Sequence, residues 1–571
     1  MSNENYMLID NIPVAIEGEK NMLELIRKAG IDLPTFCYNS ELSIYGACRM
    51  CMVENKWGGM EAACSTPPKA GAEIFTNTPK LRKHRKMILE LLLSNHCRDC
   101  TICAKNGNCR LQELALRFGI TKVRFENTAA EPDIDDSSLC IVRDRSKCIL
   151  CGDCVRMCNE VQNVGAINFT NRGSKMVVST VFDEPLGKSS CVGCGQCAAV
   201  CPTGALVVKN DTSRLWKQFG KDDVKVVAQI APAVRVAVAK AFGLSDGDVM
   251  GKIVAAMHRI GFEEVFDTVT GADLTVLEEA NEFLERLSNG ENLPLFTSCC
   301  PGWVQYCEKN YPELLPNVST CRSPMEMFGS VIKEQYKTSS RKIVSVAIMP
   351  CTAKKFEAAR PEFKWDDNQQ VIDYVITTQE LIQMIKEAGI VFSEIEPESI
   401  DMPFGSISGA GVIFGVTGGV TEAVIRRVSS DKSLSALRTL AFNGVRGLEG
   451  TKEITIEYCG KHLRIGVVSG LKNADKLIRS IKNGEHFDLV EVMACPNGCI
   501  NGAGQPFTDR NGIKNRSEAL YEADRMCTNK RSEENPLMMS LYNGLLKGKV
   551  HKLLHVDYVK EENIWWKFQF V

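Results

Sequence analysis

The chain has 571 residues, 68 Lys plus Arg against 70 Asp plus Glu for a formal charge of −2, and 26 cysteines. That length makes several domains with a large core, and so even a charge balance speaks against nucleic acid as a partner. The opening MSNENYMLIDNIPVAIEGEK lacks the basic and apolar regions of an export signal, and no apolar run reaches bilayer length. A cytoplasmic location without membrane contact is therefore expected. Tight CxxC groups in a long chain read as metal-ligand sets, with disulfides as the alternative use.

Residues 1–79 read as a small β-rich unit. Tyr6–Ile9 and Ile12–Ile16 alternate around Asp10-Asn11, and 21–29 has helical periodicity ending at Gly30. Cys37, Cys48, Cys51 and Cys64 follow as C-x10-C-x2-C-x12-C, one close pair with two outlying thiols, which suits a loop wrapped around a [2Fe–2S] cluster. Structural zinc is the alternative for four such ligands.

Residues 80–125 open with an amphipathic helix at 81–93. Its basic start, Lys80 to Lys86, reads as a solvated face or as a dock for an acidic carrier. His96, Cys100, Cys103 and Cys109 then offer one imidazole and three thiolates; zinc and a [4Fe–4S] cluster both accept that set on spacing alone. Residues 126–209 carry two copies of C-x2-C-x2-C-x3-C. The fourth cysteine of each run ligates the other cluster in two-cluster ferredoxins. This assigns Cys148, Cys151, Cys154 and Cys201 to one cubane and Cys191, Cys194, Cys197 and Cys158 to the other.

A polar linker is expected near 210–223, then α/β character to residue 571. Strands are predicted at 224–230 and 264–266, helices at 252–260 and 276–287, and Gly- and Pro-punctuated loops at 408–419 and 495–506. Neither a G-x-G-x-x-G turn nor a phosphate loop is present. Three further motifs, TSCCPGW with Cys300, MPCTAKK with Cys351 and MACPNGC with Cys495 and Cys499, each follow a short apolar run. Buried strands whose ends converge would bring these four thiols to one site, where they can hold a cubane.

TSCCPGW, MPCTAKKFE and EVMACPNGCINGAGQP resemble the three signatures of iron-only (FeFe) hydrogenases, and the N-terminal cysteine pattern resembles the larger members of that family. The resemblance implies a multidomain α+β and α/β chain. Its modules would be a β-grasp ferredoxin-like module (1–79), a His-ligated [4Fe–4S] module (80–125), a two-cluster ferredoxin module (126–209) and an α/β catalytic domain (210–571). It implies one [2Fe–2S], three accessory [4Fe–4S] clusters, and an H-cluster on Cys300, Cys351, Cys495 and Cys499. Cys499 would bridge to a di-iron subsite bearing CO, cyanide and azadithiolate. The reaction implied is the interconversion of protons and electrons with dihydrogen.

By the same resemblance, Lys354 supplies a donor to cyanide with Glu357 as its supporting anion, while Pro232, Ala233, Met349 and Met493 wall the subsite. Cys299, Glu279, Ser319, Glu282 and Arg286 would carry protons to solvent; the last two acids and the arginine share one helix face at i, i+3, i+7. A ferredoxin or similar carrier and maturation proteins for the di-iron subsite are the partners implied. A catalytic subunit of an NAD(P)-linked complex and a hydrogen sensor are the alternatives. Ala233, Met325, Asn497 and Ala503 depart from the commoner family residues without removing a ligand. Cys97, Cys140, Cys307, Cys321, Cys459 and Cys527 have no assigned role, though Cys321 follows Ser319 closely, and the aromatic end 565–570 is expected to pack on the domain.

Overall fold

The computed structural model describes residues 5–558 apart from 129–130, 132, 246, 367–368, 430, 434, 436–438 and 440–443, so the aromatic end at 565–570 lies outside the described residues. The chain divides into two compact units. Met1–Val161, Gly165–Ser189 and Cys197–Val207 form the smaller; Gln162–Val164, Ser190–Gln196 and Val208–Val571 form the larger.

The smaller unit begins with a five-stranded sheet. Strands β1 (Tyr6–Ile9) and β2 (Ile12–Ala15) form a hairpin through Asp10 and Asn11, whose φ of 48° and 67° match the left-handed conformation that a two-residue turn demands and that Asp and Asn tolerate. With β3 (Met52–Asn55), β4 (Met60–Ala62) and β5 (Glu73–Phe75) the order is β2-β1-β5-β3-β4, and β1 runs parallel to β5. Helix α1 (Met22–Lys28), capped by the Asn21 side chain, buries Met22, Leu23, Leu25 and Ile26. Helix α2 (Pro79–Ser94) starts at a Thr78 cap. Its basic run is not uniformly solvated: Arg85 is buried and donates to the carbonyls of Met50, Met52 and Thr76, tying the helix to the chain that carries Cys51.

In the larger unit the strands that build the site are β6 (Val224–Ile230), β7 (Glu264–Asp267), β8 (Leu295–Phe296), β9 (Lys342–Met349), β10 (Tyr374–Thr377), β11 (Thr451–Tyr458), β12 (Lys461–Ser469) and β13 (Leu489–Met493). They form two sheets, β7-β6-β9-β10 and β8-β13-β12-β11, in which every pairing but β11–β12 is parallel. Parallel strands are covered on both faces, which is why 343–348 and 489–493 are near-continuous apolar runs, interrupted by Ser345 and Glu491. Among the described residues no helix is long and apolar enough to cross a membrane.

Three local expectations need correction. The 210–223 segment contains a helix at Thr212–Trp216 whose Leu215 sits in the core. Much of 408–419 is helical, at Gly409–Val412 and in the turn Ile413–Gly415; Gly411 serves close packing, since a Cβ there would lie 2.7 Å from Val269 Cγ1. Helix α3 starts at Val269 rather than near residue 276 and runs to Asn289. Its first turns, Val269 to Val276, are buried all round and so present no polar face to give a period.

Helices α4 (Pro301–Asn310), α5 (Pro324–Gln335) and α6 (Ala353–Ala358) complete the frame. Helix α3 meets the start of α5 at Gly271, where a Cβ would lie 2.1 Å from the Pro324 carbonyl oxygen. Gly271→Ala is expected to force these helices apart at a cost of roughly 1–3 kcal/mol, read as a lowered thermal midpoint of the larger unit.

Candidate active site

Cys300 follows β8 and precedes α4, Cys351 follows β9, and Cys495 follows β13, so the C-terminal ends of strands from both sheets deliver thiols to one place. Cys499 comes from the turn Cys499–Asn501. Burial raises all four thiols, and the charges of neighbouring thiols raise Cys351, Cys495 and Cys499 further. Cys351, with Cys300 beside it, is pushed up to about 12; Cys495 feels Cys351, Cys300 and Cys499; Cys499 feels Cys300 and Cys351. Four thiolates here repel one another unless a cation binds them. The Ala494 N–H donates to Cys300 Sγ at 3.3 Å, the kind of contact that tunes a ligated thiolate. Among the described residues no three His, Cys, Asp or Glu side chains converge on a single ion. A cubane puts each thiolate on a different iron, so the donor set fits a cluster rather than one metal.

Beside Cys499 lies a cavity of about 70 Å³ walled by apolar side chains, among them Pro232, Ala233, Met325, Met349, Phe414 and Met493. Lys354 and the thiols of Cys299, Cys351 and Cys499 are its ionisable wall groups. The Lys354 ammonium donates to Glu357 at 2.6 Å and to the Cys299 carbonyl at 3.2 Å, and Glu357 also accepts from Ser323 Oγ at 3.0 Å. Burial disfavours the charge on Lys354, but Glu357 outweighs it and holds the ammonium protonated. A dry pocket with one fixed cation suits a small anionic ligand.

Cys299, Glu279, Ser319, Glu282 and Arg286 are also brought together. Glu279 is wholly buried with no close hydrogen bond to either oxygen; burial and the neighbouring Glu282 push it up to about 8 against the weaker pull of the Ser298 N–H and Ser319. Burial and the Glu279 charge raise the Cys299 thiol well above its usual range. Ser319 Oγ donates to Glu282 at 2.7 Å, and Glu282 pairs with Arg286 at 2.6 Å near the surface. Two neighbours were not assigned from sequence. Cys321 Sγ donates to Glu282 at 3.8 Å, so it joins this line rather than the cavity. Glu326, in the first turn of α5, is fully buried and unpartnered. Cys321's spacing from Ser319 hinted at the first; nothing in the local pattern marks the second.

The four departures sit without strain. Asn497 has φ 67°, a left-handed position that glycine or asparagine can fill. Gly502 and Gly504, whose added Cβ atoms would lie 2.2 and 3.0 Å from the Pro350 carbonyl oxygen, flank Ala503, whose own side chain is accommodated. Ala233 and Met325 line the cavity, and the Ala233 carbonyl accepts from Gln505 Nε2 at 2.8 Å.

No disulfide joins any of the 26 cysteines, all of which lie among the described residues. In the smaller unit, Cys48 N donates to Cys37 Sγ at 3.4 Å; a separate side-chain hydrogen bond between the two thiols holds Cys48 down at about 6 and raises Cys37, and the side-chain bond between Cys51 and Cys64 acts alike, raising Cys51 and lowering Cys64. His96 is buried with Nδ1 unpartnered; burial and Lys147, which also faces Cys103, bring it to about 4, so its imidazole is neutral as a metal ligand must be. Cys100 lies at the surface near Cys103, and Cys109 is raised by burial with both of these beside it. Cys148, Cys151, Cys154 and Cys201 line one cavity of about 30 Å³. Cys158 and Cys197 belong to the smaller unit and Cys191 and Cys194 to the larger. Within the larger unit Cys194 acts on Cys495, Thr352 Oγ1 donates to the Gly193 carbonyl at 2.7 Å, and a Cβ on Gly195 would lie 2.7 Å from that of Ala503.

Thiol sets of cluster geometry around a walled cavity define an iron–sulfur redox enzyme. The chain belongs to the iron-only hydrogenase family. Residues 224–503 match the iron only hydrogenase large subunit, C-terminal domain, and 510–561 the iron hydrogenase small subunit. Residues 6–79 match a 2Fe-2S iron-sulfur cluster binding domain, 85–124 the NADH-ubiquinone oxidoreductase-G iron-sulfur binding region and 147–205 a 4Fe-4S dicluster domain. The chain is similar to the NADP-reducing hydrogenase subunit HndD of Solidesulfovibrio fructosivorans, 41% identical over 97% of this chain and 99% of the relative. It is 34% identical to iron hydrogenase 1 of Clostridium pasteurianum over 97% of this chain and 100% of that one. A solved FeFe-hydrogenase HydA1 variant from Chlamydomonas reinhardtii superposes with a TM-score of 0.53 at 37% identity, covering 62% of this chain and 99% of the other. The protein is an iron hydrogenase, interconverting protons and dihydrogen with electrons relayed by iron–sulfur clusters.

Glu279 gives the site a pH signature. Its folded value of about 8 exceeds the ordinary 4.5, so its contribution to stability is complete below the ordinary range and is lost as pH rises through about 8. Glu279→Gln is neutral throughout and is expected to flatten that alkaline decline, checked by thermal midpoints across the same window.

Proposed function

We propose that Cys300, Cys351, Cys495 and Cys499 hold the H-cluster cubane, with Cys499 facing the di-iron subsite in the apolar cavity. The observation that carries this is the adjacency of four buried thiols to an apolar cavity that Cys299 and Lys354 also line. When bound, the H-cluster supplies the iron at which protons and electrons combine to dihydrogen. The chain's own residues do the rest. Lys354, backed by Glu357, binds the anionic cyanide face; Pro232, Ala233, Met349 and Met493 exclude water.

Protons pass between the cavity and solvent through the Cys299 thiol, the Glu279 carboxyl, Ser319, Glu282 and Arg286. A thiol and a carboxyl that both stay protonated near neutrality can hand on a proton without first being charged. Electrons pass through one [2Fe–2S] cluster on Cys37, Cys48, Cys51 and Cys64, a [4Fe–4S] cluster on His96, Cys100, Cys103 and Cys109, and two cubanes on the crossed sets 148/151/154/201 and 191/194/197/158. The nearness of Cys194 to Cys495 supports the last set as the donor to the active site. The modules are read as 1–79 (β-grasp), 80–125, 126–209 and 210–571, and the location as cytoplasmic.

The electron partner is a ferredoxin-like carrier, and maturation proteins supply the di-iron subsite. A second reading, a catalytic subunit of an NAD(P)-linked complex, is favoured by the relative named as a subunit of an NADP-reducing hydrogenase. Purification under native anaerobic conditions separates the two: co-purifying nucleotide-binding subunits support the second, and direct reduction by ferredoxin the first.

Cys299→Ala is expected to lower hydrogen evolution from a reduced dye by about 10²–10⁴-fold while the infrared bands of CO and cyanide persist. Full evolution in that variant would end the proton route proposed here. His96→Cys exchanges a neutral ligand for an anion and should lower the midpoint potential of its cluster, followed by redox titration of its electron paramagnetic resonance signal.

A further inference from the structure

The proton route leaves one buried acid beside the cavity unused. Glu326 is 0% exposed, and neither carboxyl oxygen has a hydrogen-bond partner. It stands in the first turn of α5, directly after Met325, which lines the cavity. The charged groups that face it are Glu357 and Lys354 from α6 and Arg322 from the segment before α5. None of them bonds to it. Lys354 is committed to Glu357 and the Cys299 carbonyl, and Arg322 donates to the His555 and Lys552 carbonyls and Ser330 Oγ.

An ionised carboxylate with no donor in the interior is costly, and neither Lys354 nor Arg322 bonds to it to offset that cost. Two close carboxyls relieve this by keeping one proton between them. Glu357 has the donors, so the proton falls to Glu326. Burial, with Glu357 next to it, holds Glu326 well above the ordinary carboxyl range in spite of Lys354 and Arg322.

We infer that Glu326 is a positioning residue that carries a proton in the working protein, and that losing it at alkaline pH weakens the cationic face Lys354 presents to the cavity. While Glu326 is neutral, Glu357 alone balances Lys354 and the ammonium stays aimed at the Cys299 carbonyl and the cavity. Ionisation, with the proton released to solvent, adds an anion behind Lys354 and draws the charge away from any anionic ligand. The second half of this rests on the reading of Lys354 as the cyanide donor; the first does not.

Infrared spectra of the cluster-loaded protein test the first half. At neutral pH a protonated-carboxyl band is expected that Glu326→Gln removes and Glu357→Gln leaves in place. A spectrum that Glu326→Gln leaves unchanged overturns the inference; Glu326→Met provides the same subtraction should the Gln variant not fold. The second half is read from uptake of a cyanide-bearing synthetic di-iron complex by protein that already holds its cubanes, followed by its CO and cyanide bands. Uptake should fall several-fold at alkaline pH in the parent chain and stay level in Glu326→Gln. An equal fall in both defeats the coupling. Unaltered uptake by Lys354→Met at neutral pH would instead sink the reading of Lys354 while leaving the carboxyl band of Glu326 standing.

Discussion

Holding four thiols of like charge in a dry interior is the constraint on which the larger unit is built. Each of Cys300, Cys351, Cys495 and Cys499 is raised by burial, and the last three again by neighbouring thiols, so the metal-free site resists forming the charged state that binds iron. Positive charge from a cluster is what makes the arrangement favourable, and the frame must hold the thiols ready meanwhile. Two mostly parallel sheets do this by ending β8, β9 and β13 at the same place, with their apolar strands locked on both faces. The turn at 495–506 has no such lock and relies on backbone contact, with Gly502 and Gly504 against the Pro350 carbonyl.

The same desolvation that raises the ligands sets the chemistry around them. Cys299 and Glu279 are displaced upward together and remain neutral reservoirs, while Lys354 keeps its charge because Glu357 is buried with it. Glu282 is different: Ser319, the Thr320 N–H and Arg286 supply donors to it, so the line passes from unpartnered, proton-keeping acids inside to a stabilised carboxylate at the edge. One physical gradient, from few and weak hydrogen-bond donors to several close ones, orders the residues from Glu279 to the surface.

What could be read from the chain depended on how local the information was. Cysteine spacing is covalent, so groupings at 37–64 and 148–201 could be proposed before any fold was known, and Cys148, Cys151, Cys154 and Cys201 line one cavity. The hairpin at Asp10-Asn11 was legible because turn chemistry is local. The start of α3 was not, because a helix buried all round has no period, and the glycines at 409–419 looked like a loop because close packing and turning call for the same residue. Arg85 looked solvated within a basic run, and only the tertiary structure supplies the three carbonyls that bury it.

Glu326 marks the limit of motif reading most sharply. Its neighbour Met325 drew attention as a departure from a commoner residue, yet the pair acts on different faces of the first turn of α5: Met325 walls the cavity, and Glu326 stands behind the Lys354–Glu357 pair. Such an acid is invisible to spacing because its consequence comes from what it lacks, a donor within reach. A polar group kept unsatisfied in a core is costly to stability, and cores are otherwise arranged to avoid it. Glu279 carries a similar cost. The two buried acids stand next to residues that line the cavity, Glu279 by Cys299 and Glu326 by Met325, so the interior gives up stability close to where protons are consumed or released.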